Sequence, residues 1–353
     1  MKGYLEGAAR VLVLLLALMS VRSASAVTPV IWRDDTFAEF EKGKPDGVSL
    51  AADGSLAPAP APEVFADTEA LHVWALVRDP QGVLYAGTGD EGKIFRIGPD
   101  RKVGLLCALP GAKIIQALAF APDGTLYAGT SPGGAIYRIA PGKAPALACS
   151  TGARYVWALA FTGALCAATG GDGKVLRIGP DGKVTELLKS SDEHVISLIP
   201  GPDGALYAGT EGNGLVYKIA VDGHAQVLYD APEREVRGLA LAPDGTLYAG
   251  AMSGAARLEE GKDEPPRPRP EGAPGDERSS LYRIAPSGAV LKLWDAAQPL
   301  LLAMFRDADG RLLVTTGDKG MLYRVGDDGG AAVVARFEDA QPLAICGGVG
   351  PPS

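Results

Sequence analysis

The sequence predicts an all-β fold arranged as a ring of four-stranded antiparallel blades, a β-propeller, and three observations carry that expectation. A unit of roughly 41 residues repeats along the chain, and each unit holds four short strand-like runs. The 47 Gly and 27 Pro of the 353 residues recur between those runs. Four short strands in each 40 to 45 residues is about the period of propeller blades, whereas helical solenoids need apolar residues at 3.6-residue spacing.

The repeat is clearest in Ala117–Lys143. Its Leu-Tyr pair (Leu126-Tyr127) recurs as Leu84-Tyr85, Leu206-Tyr207 and Leu247-Tyr248, with Leu165-Cys166 and Leu312-Leu313 as degenerate copies. Measured on the second residue, the steps are 42, 39, 41, 41 and 65, the last being one repeat plus an insertion. A second landmark keeps the same offset: Ile94–Ile97, Ile136–Ile139, Val175–Ile178, Val216–Ile219, Leu281–Ile284 and Leu322–Val325.

In the second unit the strand-like runs are Ile114–Ala121, Thr125–Thr130, Ala135–Ala140 and Pro145–Cys149. Between the first two stands Pro122-Asp123-Gly124, echoed at 79–82, 202–204 and 243–245. Pro presets φ for a type I turn, Asp hydrogen-bonds back to the backbone, and Gly takes the left-handed position. Asp307-Ala308-Asp309-Gly310 occupies the same place and reads as a turn, not a calcium loop, because it lacks the further acids.

Six complete units span about 72 to 341. Pro342–Cys346 then starts a seventh first strand, while Val48–Leu56 mimics a first hairpin and Glu63–Ala66 a fourth strand. The expectation is a seventh blade shared by the two termini, which would leave no open sheet edge; a chain truncated relative to a longer one is the alternative.

Residues 1–26 read as an export signal: Lys2 and Arg10 near the start, the apolar run Val11–Met19, and the small-residue site Ala24-Ser25-Ala26. The run falls short of the roughly 20 residues a membrane span needs. Loss of Lys2, Glu6, Arg10 and Arg22 takes the net charge from −8 to −10. The expected mature protein is a secreted or periplasmic monomer without membrane insertion. Residues 27–45 form an N-terminal arm, 46–347 the propeller and 348–353 a tail. An acidic chain with 22% charged residues carries no basic footprint for nucleic acid. Residues 255–280, rich in Pro and charges of both signs, replace a tight loop of the fifth unit and read as a solvated insertion.

The strings Trp157-Ala158-Leu159, Pro122-Asp123-Gly124, Leu126–Thr130 and Ile136–Ile139 together resemble the repeats of NHL-type, gluconolactonase-like and streptogramin-lyase-like propellers. They are also similar to the periplasmic sensor propellers of two-component regulators. The likeness covers about residues 46–347. WD40 repeats fit less well, since no Gly-His pair occurs and the single Trp294-Asp295 falls in a fourth strand. Such families span enzymes, sensors and scaffolds, so the resemblance implies a fold before a function.

Propellers bind at the channel mouth, where the first strands begin. The first strands read from the sequence, Val236–Leu241 among them, contain no Asp, Glu or Asn. The acid ligands that resemblance to metal-dependent lactonases implies are therefore missing, and no metal or other cofactor is expected. Resemblance to streptogramin lyases implies a His and a Glu working with a metal. His72, His194 and Glu193 stand at strand openings, but no second-strand acid is evident in the sequence. Trp74, Gln116, Trp157 and Arg237 share one repeat position, filled elsewhere by Ile196, Leu302 and Leu343. Two indoles, an amide and a guanidinium suit stacking and hydrogen bonding to a sugar, peptide or aromatic group, and inter-blade packing is the plainer use of the same residues.

The basic residue of every third strand (Arg96, Arg138, Arg177, Lys218, Arg283, Arg324) repeats too regularly for a site and reads as packing or a partner on the neighbouring blade. Cys107, Cys149, Cys166 and Cys346 read as small core residues, with a disulfide left open by export. With no nucleophile motif such as G-x-S-x-G, the leading expectation is a non-catalytic exported module. It would bind a small molecule or protein at the channel mouth through Trp74, Gln116, Trp157, Arg237, His72 and His194. A lyase or lactonase and a truncated sensor domain are the alternatives.

Overall fold

The computed structural model describes residues 36–40, 42–89, 91–253, 279–296, 298–307, 309–338 and 341–347. Residues 1–26, read above as an export signal, residues 27–35, nearly all of the 255–280 insertion and residues 348–353 lie outside them. Among the described residues no helix is long and apolar enough to cross a membrane.

One helical turn, α1 (Phe37–Phe40), precedes a hairpin of β1 (Val48–Ala51) and β2 (Leu56–Pro58). Blade one follows as β3 to β6 (Val73–Arg78, Leu84–Thr88, Lys93–Ile97, Val103–Ala108). Blade two is β7 to β10 (Ile114–Phe120, Leu126–Ser131, Ala135–Ile139, Ala146–Ser150) and blade three β11 to β14 (Tyr155–Phe161, Leu165–Gly170, Lys174–Ile178, Val184–Lys189). Blade four is β15 to β18 (His194–Pro200, Leu206–Glu211, Leu215–Ile219, Ala225–Asp230) and blade five β19 to β22 (Glu235–Leu241, Leu247–Met252, Ser279–Ile284, Val290–Ala296). Blade six is β23 to β26 (Leu301–Arg306, Leu312–Thr316, Met321–Val325, Ala331–Arg336). All pairing within the blades is antiparallel, and consecutive inner strands β3, β7, β11, β15, β19 and β23 pack side by side.

The repeated turns fold as their chemistry requires. Asp123 and Asp244 accept hydrogen bonds from the backbone N–H of Thr125 and Thr246 at 2.9 Å, and Gly124 and Gly245 sit at φ 81° and 84°. Asp307 accepts from the Arg311 N–H at 2.8 Å, so that segment is a turn as expected.

The Gly of Leu-Tyr-Ala-Gly-Thr has a different use, at the junction between blades. At Gly87 an added Cβ would meet Ile115 Cγ2 of the next blade at 2.7 Å, and Gly250 receives Leu301 of blade six in the same way. Ile115, Val156, Val195, Val236 and Leu301, all at this first-strand position, are fully buried. Each such side chain contributes about 1.5–3 kcal/mol of burial, so this wedge repeated around the ring is a main source of cohesion. Facing the second-strand Tyr, the basic third-strand residue is its direct cross-strand partner, as in Tyr85 with Arg96 and Tyr127 with Arg138. Arg177 reaches the neighbouring blade, donating from Nη2 to the Val221 carbonyl at 2.6 Å.

The two terminal segments do not pair with each other into the expected shared seventh blade. β1 pairs with β26, so the hairpin extends blade six to a six-stranded sheet in the order β2-β1-β26-β25-β24-β23. Leu50 thereby enters the blade-six core beside Val325 and Val333, and Phe37 and Phe40 pack on the same cluster. The open outer edge of β26, and the apolar surface it offers Leu50, win over pairing with Pro342–Cys346. Pro342–Cys346 forms no strand, and neither does Glu63–Ala66. The Pro342 carbonyl accepts from Thr315 Oγ1 at 2.9 Å, while Glu63 pairs with Arg101 of blade one at 2.8 Å. The four cysteines are free, and burial pushes the Cys107 thiol up to about 11.

Candidate functional site

Each inner strand carries a β-bulge where its register against the second strand slips by one residue. The skipped residue is Trp74 in blade one, Gln116 in two, Trp157 in three, Ile196 in four, Arg237 in five and Leu302 in six. The shared repeat position of Trp74, Gln116, Trp157 and Arg237 is thus the bulge itself, a device that re-aims a side chain away from the ladder.

Three of these side chains turn to the end of their own second strand. Gln116 Oε1 accepts from Ser131 Oγ at 2.7 Å. Trp157 lies over Gly170, and Trp74 over Gly89, where an added Cβ would stand 2.9 Å from the Trp74 Nε1. The indole needs Gly at that place, and both blades with a bulged Trp have one.

The second-strand ends also join blades three to five into one sheet. A continuous row of paired residues runs Tyr155, Gly170, His194, Glu211, Glu235, Met252 across five strand junctions. Against this row lies a cleft of about 420 Å³, lined by Gln116, Ser131, Arg154, Tyr155, Trp157, Glu193, His194 and Glu211 among others. Trp157 Nε1 donates to His194 Nδ1 at 3.0 Å, the Tyr155 ring stacks on the indole at 5.2 Å, and the Arg154 guanidinium lies 5.1 Å over Tyr155. Because an indole N–H only donates, His194 Nδ1 is unprotonated, and in the neutral ring the proton sits on Nε2.

Of the residues expected from sequence, Gln116, Trp157 and His194 meet in this cleft, with Glu193 beside them. His72 and Trp74 pair off in blade one at 5.6 Å between ring centroids, and Arg237 binds Glu235 in blade five at 3.3 Å; none of the three lines the cleft. Two sequence readings need correction. β19 begins one residue earlier than read, at Glu235, so a first strand does open on an acid. β16 ends on Glu211, so a second-strand acid is present at the mouth. Tyr155 and Arg154 were also missed, although both stand at a strand opening as His194 does. Among the described residues, no three His, Cys, Asp or Glu side chains converge to metal-binding distance.

Burial pushes the Glu235 carboxyl above its ordinary 4.5; the Arg237 guanidinium pulls it down and the Glu211 charge adds to the rise. An acid raised in the folded state favours folding while protonated, and that contribution is lost as pH rises from 4.5 through the raised value. Glu235→Gln, which does not titrate, is therefore expected to be more stable relative to the parent at pH 7 than at pH 4, read from thermal midpoints at the two pH values. An equal or reversed difference would show that the Arg237 pair outweighs the burial.

No family model and no curated protein matches the chain. Solved structures do. Virginiamycin B lyase from Staphylococcus aureus is 16% identical over 78% of this chain and 88% of that one, with a TM-score of 0.62. The WD40 propeller domain of Doa1 is 14% identical over 84% and 88%, TM-score 0.54. The extracellular domain of a hybrid two-component system from B. thetaiotaomicron is 15% identical over 79% of this chain and 36% of that one, TM-score 0.54. At such identities the likeness is one of fold. This chain is a β-propeller repeat protein.

Proposed function

We propose that the protein is an exported, non-catalytic propeller that captures a ligand in the cleft between blades two and four. The observation that carries this reading is the convergence of Gln116, Trp157 and His194, from three consecutive blades, on one open cavity walled by Tyr155. With Oε1 engaged by Ser131, the Gln116 amide nitrogen is left to donate; neutral His194 donates from Nε2, and the aromatic wall supplies apolar area. A small molecule or an exposed segment of a partner protein meets those requirements.

A lyase-type reading draws on His194 beside Glu193 and on the fold shared with virginiamycin B lyase. The hydrogen bond from Trp157 counts against it, because a general base needs a free nitrogen lone pair and the one at Nδ1 is occupied.

The test is a titration of the full chain with a panel of short peptides and oligosaccharides, followed by indole fluorescence. Trp157→Ala is expected to weaken binding on the order of tenfold or more, as removal of a buried aromatic anchor does, and bound compounds should be recovered chemically unchanged. Binders indifferent to both Trp157→Ala and Gln116→Ala place the site elsewhere, and a converted compound makes the protein an enzyme.

A further inference from the structure

We propose that the ligand of this cleft carries a positive charge, an ammonium or guanidinium group on an aromatic or apolar body. This rests on the binding reading above and names the class of ligand.

The rim row turns from rings to acids as it passes from blade three to blade five: Tyr155, Gly170, His194, Glu211, Glu235. Glu211 and Glu235 are direct cross-strand partners, an arrangement in which like charges destabilise each other. Glu193, next to His194, lines the cleft with Glu211, while Glu235 stands behind Glu211 in the row.

The cations nearby leave two of those acids available. Arg237 binds Glu235, and the exposed Arg234 precedes it in the chain. Arg154 also lines the cleft, its guanidinium spent on the Tyr155 ring, 5.1 Å from its centroid. Among the described residues neither Glu193 nor Glu211 forms an ion pair. A cation entering the cleft meets Glu193 and Glu211 and relieves the repulsion between Glu211 and Glu235, while its apolar body rests against Tyr155 and Trp157. The Arg154 guanidinium over Tyr155 already displays the affinity of this wall for a delocalised cation.

A neutral sugar would gain the hydrogen bonds but not the charge term, and an anion would face two carboxylates, Glu193 and Glu211, against the single Arg154 guanidinium already stacked on Tyr155. The observations therefore favour the cation over both.

The test uses the full chain and three probes of one shape: phenethylamine, 2-phenylethanol and phenylacetate. Binding is followed by indole fluorescence and calorimetry at low ionic strength, in the parent, Trp157→Ala and Glu211→Gln. The amine is expected to bind about tenfold more tightly than the alcohol, the preference shrinking with added salt. Glu211→Gln should cut that preference several-fold while its thermal midpoint stays at or above that of the parent, since a repelling charge is removed.

Alcohol or acid binding as tightly as the amine, in a way that Trp157→Ala abolishes, overturns the cation proposal and leaves the binding reading standing. An amine preference untouched by Glu211→Gln and by salt also overturns it. No Trp157-dependent response to any probe overturns both.

Discussion

Gly170→Ala is expected to abolish the proposed ligand capture at the cleft and to lower stability by about 2–4 kcal/mol. A Cβ on Gly170 overlaps both Trp157 Nε1 and His194 Nδ1, the two ends of the hydrogen bond that ties blade three to blade four. The backbone has no room to yield, because Gly170 is held between Tyr155 on one side and His194 on the other in the rim row. Overpacking of a well-packed site costs about 1–3 kcal/mol, and a lost hydrogen bond about 0.5–1.5 more. The indole and imidazole must part, and with them goes the wall on which the proposed ligand would rest. Thermal unfolding and the indole emission spectrum read both effects. Gly104→Ala is the control: it has open space around its position and an ordinary φ, so it should unfold with the parent. A Gly170→Ala protein with parental midpoint and emission would mean that the Trp157–His194 contact is not part of the folded rim.

Much of the architecture was legible in the sequence because turn chemistry is local. Asp123, Gly124 and Thr125 specify their turn with atoms that all lie within three residues, and the pattern repeats from blade to blade. The placement of the N-terminal hairpin was not legible for the opposite reason. Val48–Ala51 has the composition of a blade hairpin, but which edge captures it depends on where Leu50 is buried, a tertiary choice that β26 decides.

The site divides in the same way. Aligning the repeats put Trp74, Gln116, Trp157 and Arg237 at one position, yet nothing local to them announces a bulge, which exists only in the register against a second strand. Nor does alignment say which of the six positions share a cavity: two indoles look equivalent, and only Trp157 has His194 and Tyr155 as neighbours. Glu211 and Glu235 escaped because each is the terminal residue of its strand, where a shift of one residue moves an acid from loop to rim.

Asp192 is the residue least visible in the sequence and among those the fold depends on most. It reads as one more loop acid, yet it is 5% exposed. Its Oδ2 accepts from Thr210 Oγ1 at 2.6 Å and from the Asn213 backbone N–H at 3.1 Å, and Asn213 Nδ2 donates to Oδ1. The carboxylate thus clamps the turn that follows Glu211, from a position two residues ahead of His194. The same entry-loop position holds a buried Glu233 in blade five, which accepts from the Tyr282 hydroxyl at 2.9 Å, and a buried Gln298 in blade six. Hydrogen bonds to a charged group contribute about 1.5–3 kcal/mol, and each buried donor left without a partner costs about 1–3. Asp192→Ala is therefore expected to lose about 3–4 kcal/mol, with Asp192→Asn losing less because one oxygen remains to accept. Denaturant unfolding measures the loss as a shift in midpoint at constant slope. If Asp192 were an ordinary solvated loop acid, its removal would stay within about 0.5 kcal/mol of the parent. The clamp positions both Glu211 and His194, so the alanine variant should also lose ligand capture under conditions where it is still fully folded. That pairing separates a loop that merely stabilises the fourth blade from one that also sets the geometry of the rim.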